Sequence, residues 1–183
     1  MKGMVFNSFQ VFVEDNYGVK AWDAAINACD LPSEGIYVST RSYDDFELEA
    51  LIQFFSKSNS MSSAELLRAF GRYVFADLMN IAPKKAKEAT DLRAFLRMVH
   101  NIIHVEVKKL YADSNLPHFS YRDEENVLVM IYTSPRKLCF FSEGLILAAA
   151  EYFKECITVS QSKCMHKGAK QCQIEVVFHD STY

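Results

Sequence analysis

"YRDEENVLVMIYTSPR", Tyr121 to Arg136, decides what kind of fold this chain adopts. A charged cluster, Arg122 to Glu125, precedes an aliphatic, partly β-branched run, Val127 to Ile131. Charged side chains belong at a solvated turn, and β-branched ones fit a pleated, half-buried surface. The stretch therefore predicts a β-hairpin.

Upstream of it the pattern is helical. Val5, Phe6, Phe9, Phe12 and Val13 share one face at helical spacing, and Gly18 interrupts the pattern. A second helix carries Trp22, Ala25, Ile26 and Cys29. "DLPSEG" (30–35) is a loop, "IYVSTRSY" (36–43) reads as extended, and "DDFELEALIQFFSKS" (44–58) as a helix opened by acidic residues. Ser62 and Glu65 make a capping-box pattern ahead of "SSAELLRAFGRYVFADLMN" (62–80). "APKKAKEATD" (82–91) is a polar connector, and "LRAFLRMVHNIIHVEVKKLY" (92–111) reads as one long amphipathic helix. Downstream, "KLCFFSEGLILAAAEYFKE" (137–155) is helical. "CITVSQ" (156–161) and "QCQIEVVFH" (171–179) alternate like strands around the turn "KCMHKGAKQ" (163–171). Helices first, then strands with one helix, is an α+β order. The expectation is one domain of 183 residues, a helical part over about 1–60 leading into a second part over about 61–183.

Half of the residues are hydrophobic and 13% are aromatic, enough for a core with apolar surface left to line a pocket. A net charge of −3 argues against nucleic acid as the main partner. No apolar run approaches the roughly 18–20 residues that span a bilayer. The opening "MKGMVFNSFQVFVEDNYG" is interrupted by Asn7, Ser8 and Gln10, and no small-residue cleavage site comes after it. That pattern predicts no signal peptide and a cytoplasmic location. Cysteines stand at 29, 139, 156, 164 and 172. An odd number does not make a disulfide framework, and the clustering after residue 138 asks for a local cause.

Some side chains stand out chemically. His104 sits among apolar residues of "NIIHVEVKKLY" (101–111). It is either a hydrogen-bonded core residue or a ligand for an iron, with its second ring nitrogen held by an acceptor. Tyr132, Ser134 and Arg136 alternate along "YTSPR", which in a strand puts a phenol, a hydroxyl and a guanidinium on one face. All donate hydrogen bonds, a row suited to carboxylates or phosphates, although a solvated sheet face reads the same way. Cys139, Cys164 and Cys172 are either plain thiols, a redox-sensitive cluster or ligands to zinc, which normally wants four donors.

Seven segments in order resemble one family. "MKGMVFNSF" (1–9), "ELLRAFGRYVF" (65–75), "IHVEVKKLY" (103–111), "LPHF" (116–119), "YTSPRKLC" (132–139), "EGLILAAAEYF" (143–153) and "CMHKGAKQC" (164–172) are similar to H-NOX proteins, the haem nitric oxide/oxygen binding domains. The resemblance implies a b-type haem between an N-terminal helical subdomain and a C-terminal haem-anchoring subdomain. His104 would be the axial ligand, and Tyr132, Ser134 and Arg136 would hold the propionates. Pro117 would pack against the macrocycle and keep it out of plane. Val5, Phe9, Val74, Leu78, Phe141 and Leu145 would line the pocket. Family members that hold oxygen use a distal tyrosine, and the matching position here is Phe141. The implied ligands are nitric oxide and carbon monoxide, with oxygen excluded.

The resemblance further implies a sensor rather than an enzyme. Nitric oxide would weaken the bond to His104, free its helix, and shift the N-terminal helices. The implied partner is a histidine kinase or a cyclic-di-GMP enzyme. Some H-NOX proteins with these three cysteines bind zinc through a histidine three residues before the middle one. Here that position is Gln161, leaving His166 or Cys156 as substitutes. Two other classes stay open. A peroxidase-like haem enzyme would need a distal acid–base residue, for which only His100 and His118 are near in sequence. A redox sensor would work through the cysteine cluster, with haem secondary.

Overall fold

The computed structural model describes residues 1–179 and has the α+β order that the sequence predicts. Helices α1 (Gly3–Tyr17), α2 (Val19–Ala28), α3 (Asp45–Ser58) and α4 (Ser63–Ile81) come first. A short α5 (Lys84–Lys87) and α6 (Leu92–Met98) come next, then a π-helical turn (Val99–Ile103) and α7 (His104–Leu110). The hairpin β1 (His118–Glu124) and β2 (Val127–Thr133) leads through α8 (Cys139–Phe153) to β3 (Ile157–Lys163) and β4 (Cys172–Phe178). No helix of the described residues is long and apolar enough to cross a membrane.

Local chemistry explains most of these bounds. The Ser62 hydroxyl accepts from the Glu65 amide at 3.2 Å, and the Glu65 carboxylate accepts from the Ser62 amide at 2.8 Å, closing the capping box of α4. Helix α1 has no side-chain cap. Its first free amides go instead to backbone carbonyls of the 36–43 segment, Gly3 to Arg41 at 2.9 Å and Met4 to Ser39 at 3.1 Å. That segment was expected to be extended. It is a turn with a single isolated bridge, Lys2 to Ser42, because its backbone serves the helix end and no strand lies beside it.

Two further expectations are corrected. The connector 82–91 contains the α5 turn, started at Pro83. The stretch 92–111 is not one α-helix. At its middle the His104 amide donates to the Val99 carbonyl, five residues back. A π turn of this kind takes in one extra residue and re-aims the helix beyond it.

The hairpin is as the sequence predicts, with Glu124 opposite Val127 across a tight turn and Pro117 just ahead of β1. All strands of the sheet are antiparallel, in the order β1-β2-β4-β3. Leu128, Met130 and Tyr132 of β2 stand opposite Val176, Ile174 and Cys172 of β4, and all of them are buried. Helix α8 covers this row with Ile146, Ala149 and Ala150. Small residues also bring α8 onto α4. A Cβ at Gly144 would strike the Arg68 backbone, and one at Gly71 would strike the Phe141 carbonyl.

The interior falls into two apolar clusters, and α4 closes both. Its Leu66, Leu67, Phe70 and Val74 pack with α1–α3, around Phe6, Phe9, Leu51 and Phe55. Its Phe75 and Met79 pack with α6, α8 and the sheet.

Candidate functional site

Between these clusters lies an apolar cleft of about 500 Å³. Its walls come from α1, α4, α6, the π turn, α7, the hairpin and the start of α8. Of the expected pocket residues, Val5, Leu78, Phe141, Leu145, His104, Pro117, Tyr132, Ser134 and Arg136 all line it. Phe9 and Val74 do not. Phe9 is fully buried one layer back, against Phe55 and Phe70, and Val74 belongs to the same core. Phe70 takes the wall position instead, 5.1 Å from the Phe141 ring. Sequence reasoning also missed Ile103, Phe119 and Met130, whose apolar spacing looks the same whether they face a core or a cleft.

His104 opens α7, directly after the π turn. Its ring packs on Phe119 at 5.8 Å, and its Nδ1 is buried without a hydrogen-bond partner. Burial pushes the imidazole down to about 4, nearby His100 acts the same way, and the Pro117 carbonyl opposes them. A neutral imidazole with an unspent nitrogen is the form that ligates a metal. His100 is otherwise engaged: its Nδ1 accepts from the Phe119 amide at 3.4 Å and its ring packs on His118 at 4.4 Å.

Polar groups gather at one edge. Only Tyr132 lies on β2; Ser134 and Arg136 come after it in a turn. Strand alternation therefore does not align them, contrary to expectation. Pro135 lacks an amide for the ladder, and the turn brings the Arg136 amide to the Ser134 hydroxyl at 3.3 Å. The Tyr132 oxygen accepts from the Leu138 amide at 2.9 Å, and burial pushes its phenol up to about 12. The Arg136 guanidinium pairs with Asp45 at 2.7 Å and donates to the Asn115 carbonyl.

On the α8 wall, polar donors are scarce. Phe141 offers none, and the Ser142 hydroxyl is spent on the Leu138 carbonyl at 3.3 Å.

Behind this wall Cys139, Cys164 and Cys172 meet, all buried, with sulfurs within 4.8 Å of one another. Cys156 is exposed and outside the group. His166 is outside it too, its Nε2 held at 2.7 Å by the Lys137 carbonyl and its ring stacked on Phe140.

The haem-NO-binding family model matches residues 2–161. The chain belongs to the H-NOX family. An H-NOX protein from S. oneidensis solved in the Fe(II)NO state matches with a TM-score of 0.88 and 31% identity, covering 98% of this chain and 100% of that one. An Fe(II) unliganded H-NOX protein from K. algicida gives a TM-score of 0.93 at 30% identity, covering 100% and 99%. An H-NOX from Shewanella woodyi, bound to IWP-051 in the Fe(II)CO state, gives 0.82 at 35% identity, covering 100% and 97%. No curated protein matches the chain.

H-NOX domains bind haem and are gas sensors rather than enzymes. The cleft of this H-NOX chain fits that group on its own evidence. Haem is a broad apolar disc with carboxylates at one edge. Here are apolar walls, a buried imidazole nitrogen with no partner, and a guanidinium, a hydroxyl and a phenol at one rim.

Proposed function

We propose that this chain is a haem-based sensor of nitric oxide, taking carbon monoxide as well and excluding stable oxygen binding. The observation that carries the reading is the pairing of His104, whose Nδ1 is buried without a partner, with a donor-poor α8 wall in one apolar cleft. Bound haem supplies a ferrous iron that takes a diatomic gas.

The rest falls to the chain's own residues. His104 would bind the iron, and Tyr132, Ser134 and Arg136 would hold the propionates. Pro117 would pack against the ring, and Val5, Leu78, Phe141 and Leu145 would exclude water. An oxygen ligand would call for a hydrogen-bond donor from the chain, whereas nitric oxide would depend far less on one. Phe141 and the committed Ser142 hydroxyl supply none. Were His104 to be freed, the π turn before it is the segment that would change register, and α7 with the N-terminal helices would take up a second arrangement. The reading extends to a partner signalling protein, a histidine kinase or a cyclic-di-GMP enzyme, in the cytoplasm.

The test is the absorption spectrum of the reduced, haem-loaded protein. Nitric oxide and carbon monoxide should each change it, and air should leave no lasting oxygen complex. A stable oxygen spectrum would remove the selectivity. Protein that stays colourless when haem is supplied would end the reading. A second reading, a cysteine redox or zinc sensor with haem secondary, draws on the 3.8 Å approach of the Cys139 and Cys164 sulfurs. It requires that oxidant change partner activity even in His104→Gly.

A further inference from the structure

Among the described residues, three buried side-chain atoms have no hydrogen-bond partner: His104 Nδ1, Ser114 Oγ and Gln161 Oε1. Of these residues, His104 and Ser114 line the large apolar cleft. A hydroxyl shut away from water without a partner is costly, so one kept in a native fold marks a partner still to come. The proposed iron accounts for the histidine. It does nothing for the serine.

Ser114 sits beside the clamp. The residue after it, Asn115, lines the same cleft and gives its carbonyl to the Arg136 guanidinium. The Ser114 amide donates to the Tyr111 carbonyl at 2.9 Å, closing a turn just beyond α7. Asp113, in that turn, is exposed. It pairs with the Lys2 ammonium at 2.7 Å and accepts from the Ser42 hydroxyl at 2.7 Å. The Lys2 ammonium, and then the Ser42 hydroxyl, hold its carboxyl down at about 2. Lys2 immediately precedes α1 and also donates to the Thr40 carbonyl at 3.0 Å. Two neighbours in one turn thus serve different sides, Asp113 the start of α1 and Ser114 the cleft.

One class of atom suits the serine. Apart from its iron, haem is an apolar disc whose hydrogen-bonding atoms are carboxylate oxygens. These accept, and a hydroxyl donates. We propose that Ser114 is a further haem-holding residue: its hydroxyl donates to a haem carboxylate, and Asp113 beside it ties that edge of the haem to the start of α1. The inference rests on the proposed haem site. Ser114 joins Tyr132, Ser134 and Arg136 as a fourth donor, in a charge-assisted hydrogen bond. The carboxylate edge is then bonded to the turn that ends the His104 helix. The Asp113–Lys2 pair carries the position of that turn to α1.

The test is the rate at which haem-loaded protein gives up haem to an apo-globin acceptor. Ser114→Ala should lose haem at least about tenfold faster, the low end for a hydrogen bond to a charged group. Ser114→Thr keeps the hydroxyl and should stay close to the parent. The carboxylate bending bands of the resonance Raman spectrum should differ between parent and Ser114→Ala. With haem dimethyl ester, which has no carboxylate, the parent and Ser114→Ala should lose the group equally fast. Asp113→Asn should speed haem loss in the parent and add nothing in Ser114→Ala, because both changes act on one contact. Equal loss of ordinary haem from parent and Ser114→Ala overturns the inference, and so does a difference that persists with the ester. Additive effects of the Asp113 and Ser114 changes overturn the tie to α1. Protein that takes no haem defeats the sensor reading and this inference with it, whereas normal uptake with unchanged loss defeats this inference alone.

Discussion

On the proposed reading, Phe141 is where a single atom would set which gas the cleft keeps. Its ring lies against Phe70 at 5.1 Å, on a wall whose nearest hydroxyl, Ser142, is already donating to a carbonyl. Phe141→Tyr adds one O–H donor to an apolar cavity, where an electrostatic contact is stronger than in water. Reduced, haem-loaded Phe141→Tyr should show a lasting oxygen spectrum in air, and the parent should not; equal spectra would show that this wall does not govern selectivity. The neighbouring positions show where residue-level reading stops. Phe9 and Phe70 are both aromatic, inward and helical, yet only Phe70 reaches the cleft. Hydrophobic spacing tells which face turns inward. It does not tell whether the next layer is side chain or open volume.

Elements carry the two features that place the site. The capping box at Ser62 and the hairpin were legible because each rests on residues adjacent in sequence, a hydroxyl with a carboxylate and a charged turn with a β-branched run. The π turn was not. One extra residue per turn leaves the apolar face of 92–111 nearly unbroken, and the backbone pairing of His104 with Val99 has no side-chain signature. Its effect should be large. Inserting an alanine after Asn101, an exposed residue of that turn, would add a residue the turn does not absorb and swing His104 by about 100° around the helix axis. Such a variant should fold, by circular dichroism, and fail to develop the haem spectrum of the parent. The contact of α4 with α8 makes a separate claim. Gly144→Ala would push a methyl group into the Arg68 backbone, and overpacking of this kind costs about 1–3 kcal/mol. The melting temperature of the haem-free protein should fall accordingly.

Across the whole molecule, Asp45 at the start of α3 and Arg136 after β2 tie the two halves together at 2.7 Å. Burial alone would raise the Asp45 carboxyl, but the Arg136 guanidinium and the Met1 ammonium, 2.7 Å from it, together outweigh burial and hold it below its usual range. A depressed carboxyl adds stability above its unfolded value, about 3.9, and loses it as the pH falls through the lower folded value. Asp45→Asn should therefore lower the melting temperature at neutral pH, and its difference from the parent should shrink as the pH falls through the depressed folded value. A constant difference across that range would mean the pair contributes nothing through charge. Deeper than this tie runs α4, whose early turns complete one apolar cluster and whose later turns complete the other. Neither half has a finished interior without it, so the chain should lose its structure in a single cooperative step. Emission from Trp22, buried among α1–α3, and the backbone dichroism of the whole chain should trace one and the same denaturation curve. The motion that carries a signal would then be a rearrangement around an intact shared helix, with no melting of either side.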